Sequence, residues 1–510
     1  MKNNIGKKIK RKREKPRYWL TRFMLLRFLG FVYFFAFLSL ATQVIPLMGS
    51  NGLLPANNFL NAVGSQHASK IDSFIRLPTI FWLHISDRFM LALAWVGVAV
   101  SLLVLVGFAN APIMFFLWIV YMSFVHVGQI WYSYGWEIQL LETGFLAIFL
   151  CPLWDLRPFP KSDAPKELMW LFRWLAFRIY LGAGLIKIRG DECWRKLTCL
   201  FYHYETQPIP NPLSPYFHFM PKIFHKLGVL WNHFIELIVP FFVFWPMTLR
   251  NIAGILMISF QFILILSGNL SFLNWITIVP AIACFDDNFL GKILPKFLIK
   301  KAQEAEKNKA NPKCRTALMW ILIIAIALLS IPVVRNLFSS HQYMNTSFNQ
   351  FDLVNTYGAF GYVGKERFEL IIQGTDEGTI TQQTKWKEYE FKAKPGDVNR
   401  QLPIIAPYQP RIDWQIWFAA MESPNQNPWL IHLVWKLLQD DKNTPGLLAN
   451  NPFPNNPPKY IRIQFYKYEF AEIGNSENKI WKRTYAGEWL PPLSASNPEL
   501  QQYIKANGWH

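Results

Sequence analysis

The sequence predicts a polytopic α-helical membrane protein of about nine spans, followed by a C-terminal β-rich α+β domain on the extracytoplasmic side. Three observations predict it. Apolar residues make up 52% of the 510-residue chain and charged residues only 17%, against about 25% charged in soluble proteins. The mean hydropathy is still only +0.13, so apolar spans must be averaged with a sizeable polar domain. The net charge of +19 is also unevenly placed: residues 1–17 hold nine Lys/Arg and one Glu, 286–315 hold eight Lys/Arg and four Asp/Glu, and 338–510 hold seventeen of each. Basic blocks beside apolar runs mark cytoplasmic connections, and no nucleic-acid partner is expected. The same composition excludes a disordered, collagenous or small disulfide-scaffold chain.

The elements follow in order. Residues 1–21 form a basic cytoplasmic tail, with no small-residue cleavage site after the first apolar run, which makes that run an anchor. A bilayer crossing needs about 20 apolar residues. Runs of that kind read as spans at 22–47, 88–108, 110–129, 136–154, 167–188, 227–246, 249–268, 270–286 and 316–337, making 22–337 the membrane domain. With the N-terminus inside, connections 154–167 and 286–315 also fall inside, both with clustered Lys/Arg. Connections 48–87 and 189–226 then fall outside, as does the domain 338–510. In that domain, alternation over 367–372, 386–391 and 460–467 reads as strands. Asn427-Pro428 opens a helix through Leu438, the one helix expected there, and 450–458 is loop.

Ionisable groups inside spans are expensive and mark candidate sites. Lys187 ends the fifth span in Gly182-Ala183-Gly184-Leu185-Ile186-Lys187, where the glycines permit close backbone approach. It is either a base made reactive by desolvation or an interfacial lysine reaching toward water. His233 and Glu236, three apart on the sixth span, share a face. They read either as a proton relay or metal pair, or as a buried hydrogen-bonded pair. Lys187, placed at the outer end of its span, is expected to face them. Glu137 and Glu142 on the fourth span oppose Arg173 and Arg178 on the fifth, and interhelical pairing is expected.

The outer loop 189–226 is the densest polar stretch. Its candidate client-binding residues are Arg189, Asp191, Trp194, Arg195, His203, Tyr204, Glu205, Gln207 and Asn211. Cys193 and Cys199 are the two of five cysteines that fall outside, on the oxidising side. A disulfide between them and a pair of reduced thiols are both open. No Cys-x-x-Cys or His-Glu-x-x-His spacing is present, so neither a metal nor another cofactor is expected.

The runs Gly182-Ala-Gly-Leu-Ile-Lys-Ile-Arg-Gly-Asp191, Cys193-Trp194, Tyr202-His-Tyr-Glu-Thr-Gln-Pro-Ile-Pro-Asn-Pro212 and Trp231-Asn-His-Phe-Ile-Glu-Leu237 closely resemble the lipase maturation factor family. The likeness continues through Tyr357-Gly-Ala-Phe-Gly361 and Pro407-Tyr-Gln-Pro-Arg411. It implies a membrane-bound folding or maturation factor for exported proteins, with a lipase as client partner, membrane lipid around it, and the loop and C-terminal domain facing the secretory side. A fainter likeness, small-Gly-x-x-Lys-apolar at 183–188, is to the membrane domain of vitamin K-dependent γ-glutamyl carboxylase. There the matching lysine is a catalytic base, and Lys187 is the matching position here. Two readings follow. One is a folding factor without chemistry of its own, which we prefer. The other is a membrane enzyme using Lys187 as base, with His233 and Glu236 as relay, on a lipid, quinone or exported peptide. Short cytoplasmic loops point to a bacterial inner membrane, or in a eukaryote to the endoplasmic reticulum.

Overall fold

The computed structural model describes residues 16–66, 68–309 and 315–509. The basic block through Lys15, together with Lys313 and Cys314, lies outside the described residues. A helix occupies each of the nine apolar runs: α1 (Trp19–Ala41), α2 (Asp87–Val106), α3 (Ala111–Val127), α4 (Gly135–Leu150), α5 (Lys166–Arg189), α6 (Lys222–His233), α7 (Met247–Ser267), α8 (Leu273–Ile282) and α9 (Arg315–Phe338). Helix α6 continues through a π turn, Phe234–Ile238, and a 3-10 turn to Phe244. Pro240 explains the change of pitch: it has no N–H for the Glu236 carbonyl, and its ring crowds that carbonyl.

Six of the nine are long and apolar enough to cross a bilayer by length and composition. The other three, α3, α4 and α8, are short. Helices α4 and α8 are largely buried among their neighbours, so their length need not match the lipid. Outer faces of α2 and α9 carry exposed Trp95, Leu102, Leu103, Trp320, Ile321 and Ile324, as lipid-facing surfaces do.

Successive helices run alternately between two ends. At one end the Trp19 and Leu20 amides donate to Asp287, both at 2.9 Å. There too Ala111 N–H donates to the Pro152 carbonyl at 2.9 Å, and Arg250 to the Cys284 carbonyl at 2.7 Å. The opposite end carries the C-terminal domain. The Ser39 hydroxyl donates to the Gln409 carbonyl at 2.7 Å. Asn269 donates to the Pro403 carbonyl at 2.8 Å and accepts from Ile405 N–H at 2.9 Å.

The C-terminal domain holds an antiparallel four-stranded sheet in the order β2-β1-β5-β6 and a separate β3-β4 pair. The strands are β1 (Arg367–Thr375), β2 (Lys387–Glu388), β3 (Glu390–Phe391), β4 (Leu448–Asn450), β5 (Tyr460–Phe470) and β6 (Trp481–Leu493). Three helices accompany them, α10 (Arg411–Ala419), α11 (Pro428–Leu438) and α12 (Pro498–Ala506), where one was expected. Helix α10 shows no sequence stripe because Arg411, Asp413 and Gln415 are buried along with Ile412, Trp414 and Ile416. Strand β6 shows no alternation because Lys482 to Ala486 are all exposed.

Candidate functional site

Helices α5, α6, α7 and α8 and the loop after α5 surround a cavity of about 130 Å³, lined mainly by apolar groups, with Lys187, His203, Trp194 and Phe360 also on its wall. Gly184 lets the π turn of α6 press against α5: a Cβ there would lie 3.0 Å from the Glu236 Cβ and 2.7 Å from Leu237. That close approach carries Lys187 to its partners. Its ammonium donates to both Glu236 oxygens, at 2.5 and 2.7 Å, and to the Asn232 side-chain oxygen at 3.2 Å. Asn232 in turn donates to Glu236 at 2.8 Å. The ammonium also sits 5.2 Å from the centre of the Trp194 ring.

All three donors of the lysine are therefore engaged, and it is held between a carboxylate and an aromatic face. A general base needs a free lone pair within reach of a substrate proton, and this geometry provides none. His233 does not join Glu236 in a relay, contrary to one expectation. Its Nε2 faces the Trp194 carbonyl at 3.1 Å. His233 is the last residue of the regular helix, and Glu236 lies in the π turn that follows.

The charged pairs on α4 divide. Glu142 pairs with Arg178, as expected of adjacent helices. Glu137 pairs instead with Arg411 at 2.8 Å and accepts from the Tyr121 hydroxyl. Arg173 donates to the Ala283 carbonyl at 2.8 Å and to the Tyr18 hydroxyl at 3.1 Å. Glu142 also accepts from the Asn355 amide at 3.0 Å and the Tyr357 hydroxyl at 2.7 Å. Arg178 donates to the Asn355 carbonyl at 2.8 Å. Residues 352–361 are thus wedged against α4 and α5. Gly182 is required there, since a Cβ would lie 2.5 Å from the Tyr357 carbonyl.

Most loop residues read as client-binding point inward. Gln207 donates to the Ser267 carbonyl at 2.8 Å, and Asn211 to the Ile265 and Leu266 carbonyls at 3.2 and 3.1 Å. These are orphan acceptors of the last turn of α7. Tyr204 is buried and stacks on Phe217. Glu205 accepts from the Phe470 amide at 2.8 Å. Arg367 clamps the Glu205, Gln207 and Pro208 carbonyls. Asp191 caps the next short helix through Cys193 N–H, and Trp194 donates to the Phe360 carbonyl at 2.8 Å. Arg189 reaches Gln342 at 2.7 Å, and Arg195, though exposed, folds back to the Ile188 carbonyl at 2.6 Å. Cys193 and Cys199 are joined in a disulfide, their Cα atoms 4.8 Å apart. So short a loop contributes only about 2 kcal/mol through the unfolded chain, and its main effect is to fix Trp194 over Lys187.

His203 is buried edge-on to Phe360, ring centroids 4.7 Å apart. Burial, with Lys187 nearby, pulls its pKa down to about 4. In the unfolded chain it titrates near 6.5. The unfolded state therefore binds more protons below that value, and stability falls as the pH drops from about 6.5 to about 4. The expected loss at pH 5 is about 2 kcal/mol. A pH series of thermal melts on the wild type and His203→Phe checks it: the acid-side slope should shrink in the variant.

Comparison with known proteins bears on this architecture. A family model for the lipase maturation factor transmembrane domain matches residues 20–292, and one for the lipase maturation factor C-terminal domain matches 353–491. The chain belongs to the lipase maturation factor family. Lipase maturation factor 1 of Bos taurus is 48% identical over 96% of this chain and 92% of its own length. That of Homo sapiens is 47% identical over 96% and 90%, and lipase maturation factor 2 of Xenopus laevis 29% over 96% and 84%. No solved structure matches the chain. In this family member the second match begins at the wedge segment that ties the two parts together. Asn232, Asn355 and Arg411 belong to the site's framework although sequence reading assigned them no part in it. Tyr357 and Arg411 did stand inside the tail runs that carry the family likeness.

Proposed function

We propose that this multi-pass membrane protein matures a secreted lipase by binding it during folding, without acid–base chemistry of its own. The observation that carries this reading is the saturated Lys187–Glu236–Asn232 triad, which ties α5 to α6. The membrane-enzyme reading requires that lysine as a free base. The 48% identity to a lipase maturation factor over nearly the whole chain supports a lipase as client. The test is complementation: cells lacking their own maturation factor and expressing a secreted lipase receive this chain. Secreted lipase activity per unit of lipase protein should rise; unchanged specific activity would contradict the proposal.

The outer loop and the C-terminal domain face away from the cytoplasm in this reading, toward the periplasm of a bacterium or the lumen of the endoplasmic reticulum. The basic character of the sequence segments 1–17 and 286–315 supports that orientation, as does the Cys193–Cys199 disulfide, since oxidised cysteines persist outside the cytosol. Alkaline phosphatase fused at Gly508 should be active, and a fluorescent protein fused there should be dark in a bacterial host. The reverse pattern overturns the orientation.

A further inference from the structure

We infer that the free edge of β6 is the client-docking element, taking up an extended, still unpaired strand of the folding polypeptide by main-chain pairing. This deepens the maturation reading and rests on it. Strand β6 is last in the sheet order β2-β1-β5-β6. Its first half pairs with β5 in one unbroken register, Phe470 opposite Trp481 through Tyr466 opposite Tyr485. Beyond that pairing Ala471 N–H donates to the Ile480 carbonyl at 2.9 Å. Antiparallel ladders alternate, so Lys482 and Thr484 turn their main-chain groups to β5, and Arg483 and Tyr485 turn theirs outward. The Trp481 amide agrees with that phase: it points away from β5 and donates to the Val398 carbonyl at 3.1 Å.

Among the described residues, no group pairs with the outward N–H and C=O of Arg483 and Tyr485. Lys482 through Ala486 are exposed on both faces, so nothing in the fold covers this edge. Natural edge strands are shielded where pairing is unwanted. Here the shielding lies outside the open stretch. Register breaks interrupt the ladder beyond Tyr485, Gly487 has φ +150°, and Pro491 and Pro492 lie just before the strand ends at Leu493. The open stretch thus accepts a segment of about four residues, with up to four main-chain hydrogen bonds from two residues. Tyr485 lies edge-on to Tyr466, ring centroids 5.7 Å apart, giving an incoming side chain an aromatic platform.

The occupant follows from what an unpaired edge can recognise. A finished protein has its strands already paired, whereas a chain still folding offers free ones, so strand addition selects clients by their state of folding. Lys482, exposed and without an ion-pair partner among the described residues, favours a segment bearing Asp or Glu.

The test uses the full chain, co-expressed with a secreted lipase in cells without their own maturation factor. Tyr485→Pro removes one outward N–H and leaves the ladder to β5 intact, as proline at an edge can. It should lower lipase specific activity at least tenfold, and Tyr485→Ala, which loses the platform but keeps the N–H, should fall between the proline variant and the wild type. Full activity in the proline variant overturns the inference. Benzoylphenylalanine in place of Ala486 covers a proline variant that fails to accumulate. Irradiation should yield an adduct with the lipase; an adduct with a second copy of this chain only, or none, overturns the inference. A wild-type chain that restores no lipase activity would count against the maturation reading itself, and the cross-link would still judge the edge.

Discussion

Lys187→Met is expected to destabilise the helix bundle by about 3–5 kcal/mol, the usual cost of stranding one member of a buried ion pair. The lysine and Glu236 are 5% and 4% exposed, so the deserted carboxylate has no water to turn to. Asn232 can still donate to one oxygen, which does not offset a buried charge. Replacing both charges is a different matter. Lys187→Met with Glu236→Gln leaves a neutral amide beside Asn232 and should recover most of the loss, as neutralised buried pairs often do. Thermal unfolding of the detergent-solubilised protein, followed by size exclusion, measures both. A double variant as unstable as the single one would show that the pair is not what holds α5 to α6.

The second large effect is expected at Glu142. Glu142→Leu removes the partner of the buried Arg178 and the acceptor for Asn355 N–H and the Tyr357 hydroxyl in one step. The cost should again be about 3–5 kcal/mol, and it should appear as a loosened C-terminal domain, because the wedge 352–361 loses its seat. Limited proteolysis reads this directly. Cleavage between 338 and 366 should be fast in Glu142→Leu and slow in the wild type, with Glu142→Gln between them.

Why some of this was legible in the sequence and some not comes down to the range of the interactions. The apolar runs showed because a lipid-facing helix must be apolar along its length. Helices α4 and α8 showed by the same composition although they are shorter, because burial inside a bundle also calls for apolar residues. The Glu142–Arg178 pair was readable from opposite charges on consecutive helices. Glu137 was not, since its partner lies 274 residues away and no local pattern points across that distance. Lys187 could be set near Glu236 from two local motifs, but no local motif showed that His233 turns to the Trp194 carbonyl. The loop 189–226 looked like a binding surface because it is polar. Gln207 and Asn211 are polar for another reason, to satisfy the carbonyls at the end of α7. Strand β6 lacked the alternation by which strands are read, because Lys482 to Ala486 are exposed on both faces.

The measurement closest to the central claim is lipase maturation by the Lys187→Met/Glu236→Gln double variant. A strut can be replaced by a neutral pair, whereas a base cannot be replaced by methionine. Expressed in cells without another maturation factor and shown to be folded and membrane-inserted, the double variant should raise the specific activity of a secreted lipase to within about twofold of the wild-type chain, a difference of about 0.4 kcal/mol. A double variant that is stable and inserted yet matures no lipase would contradict this account and return Lys187 to the role of a catalytic base.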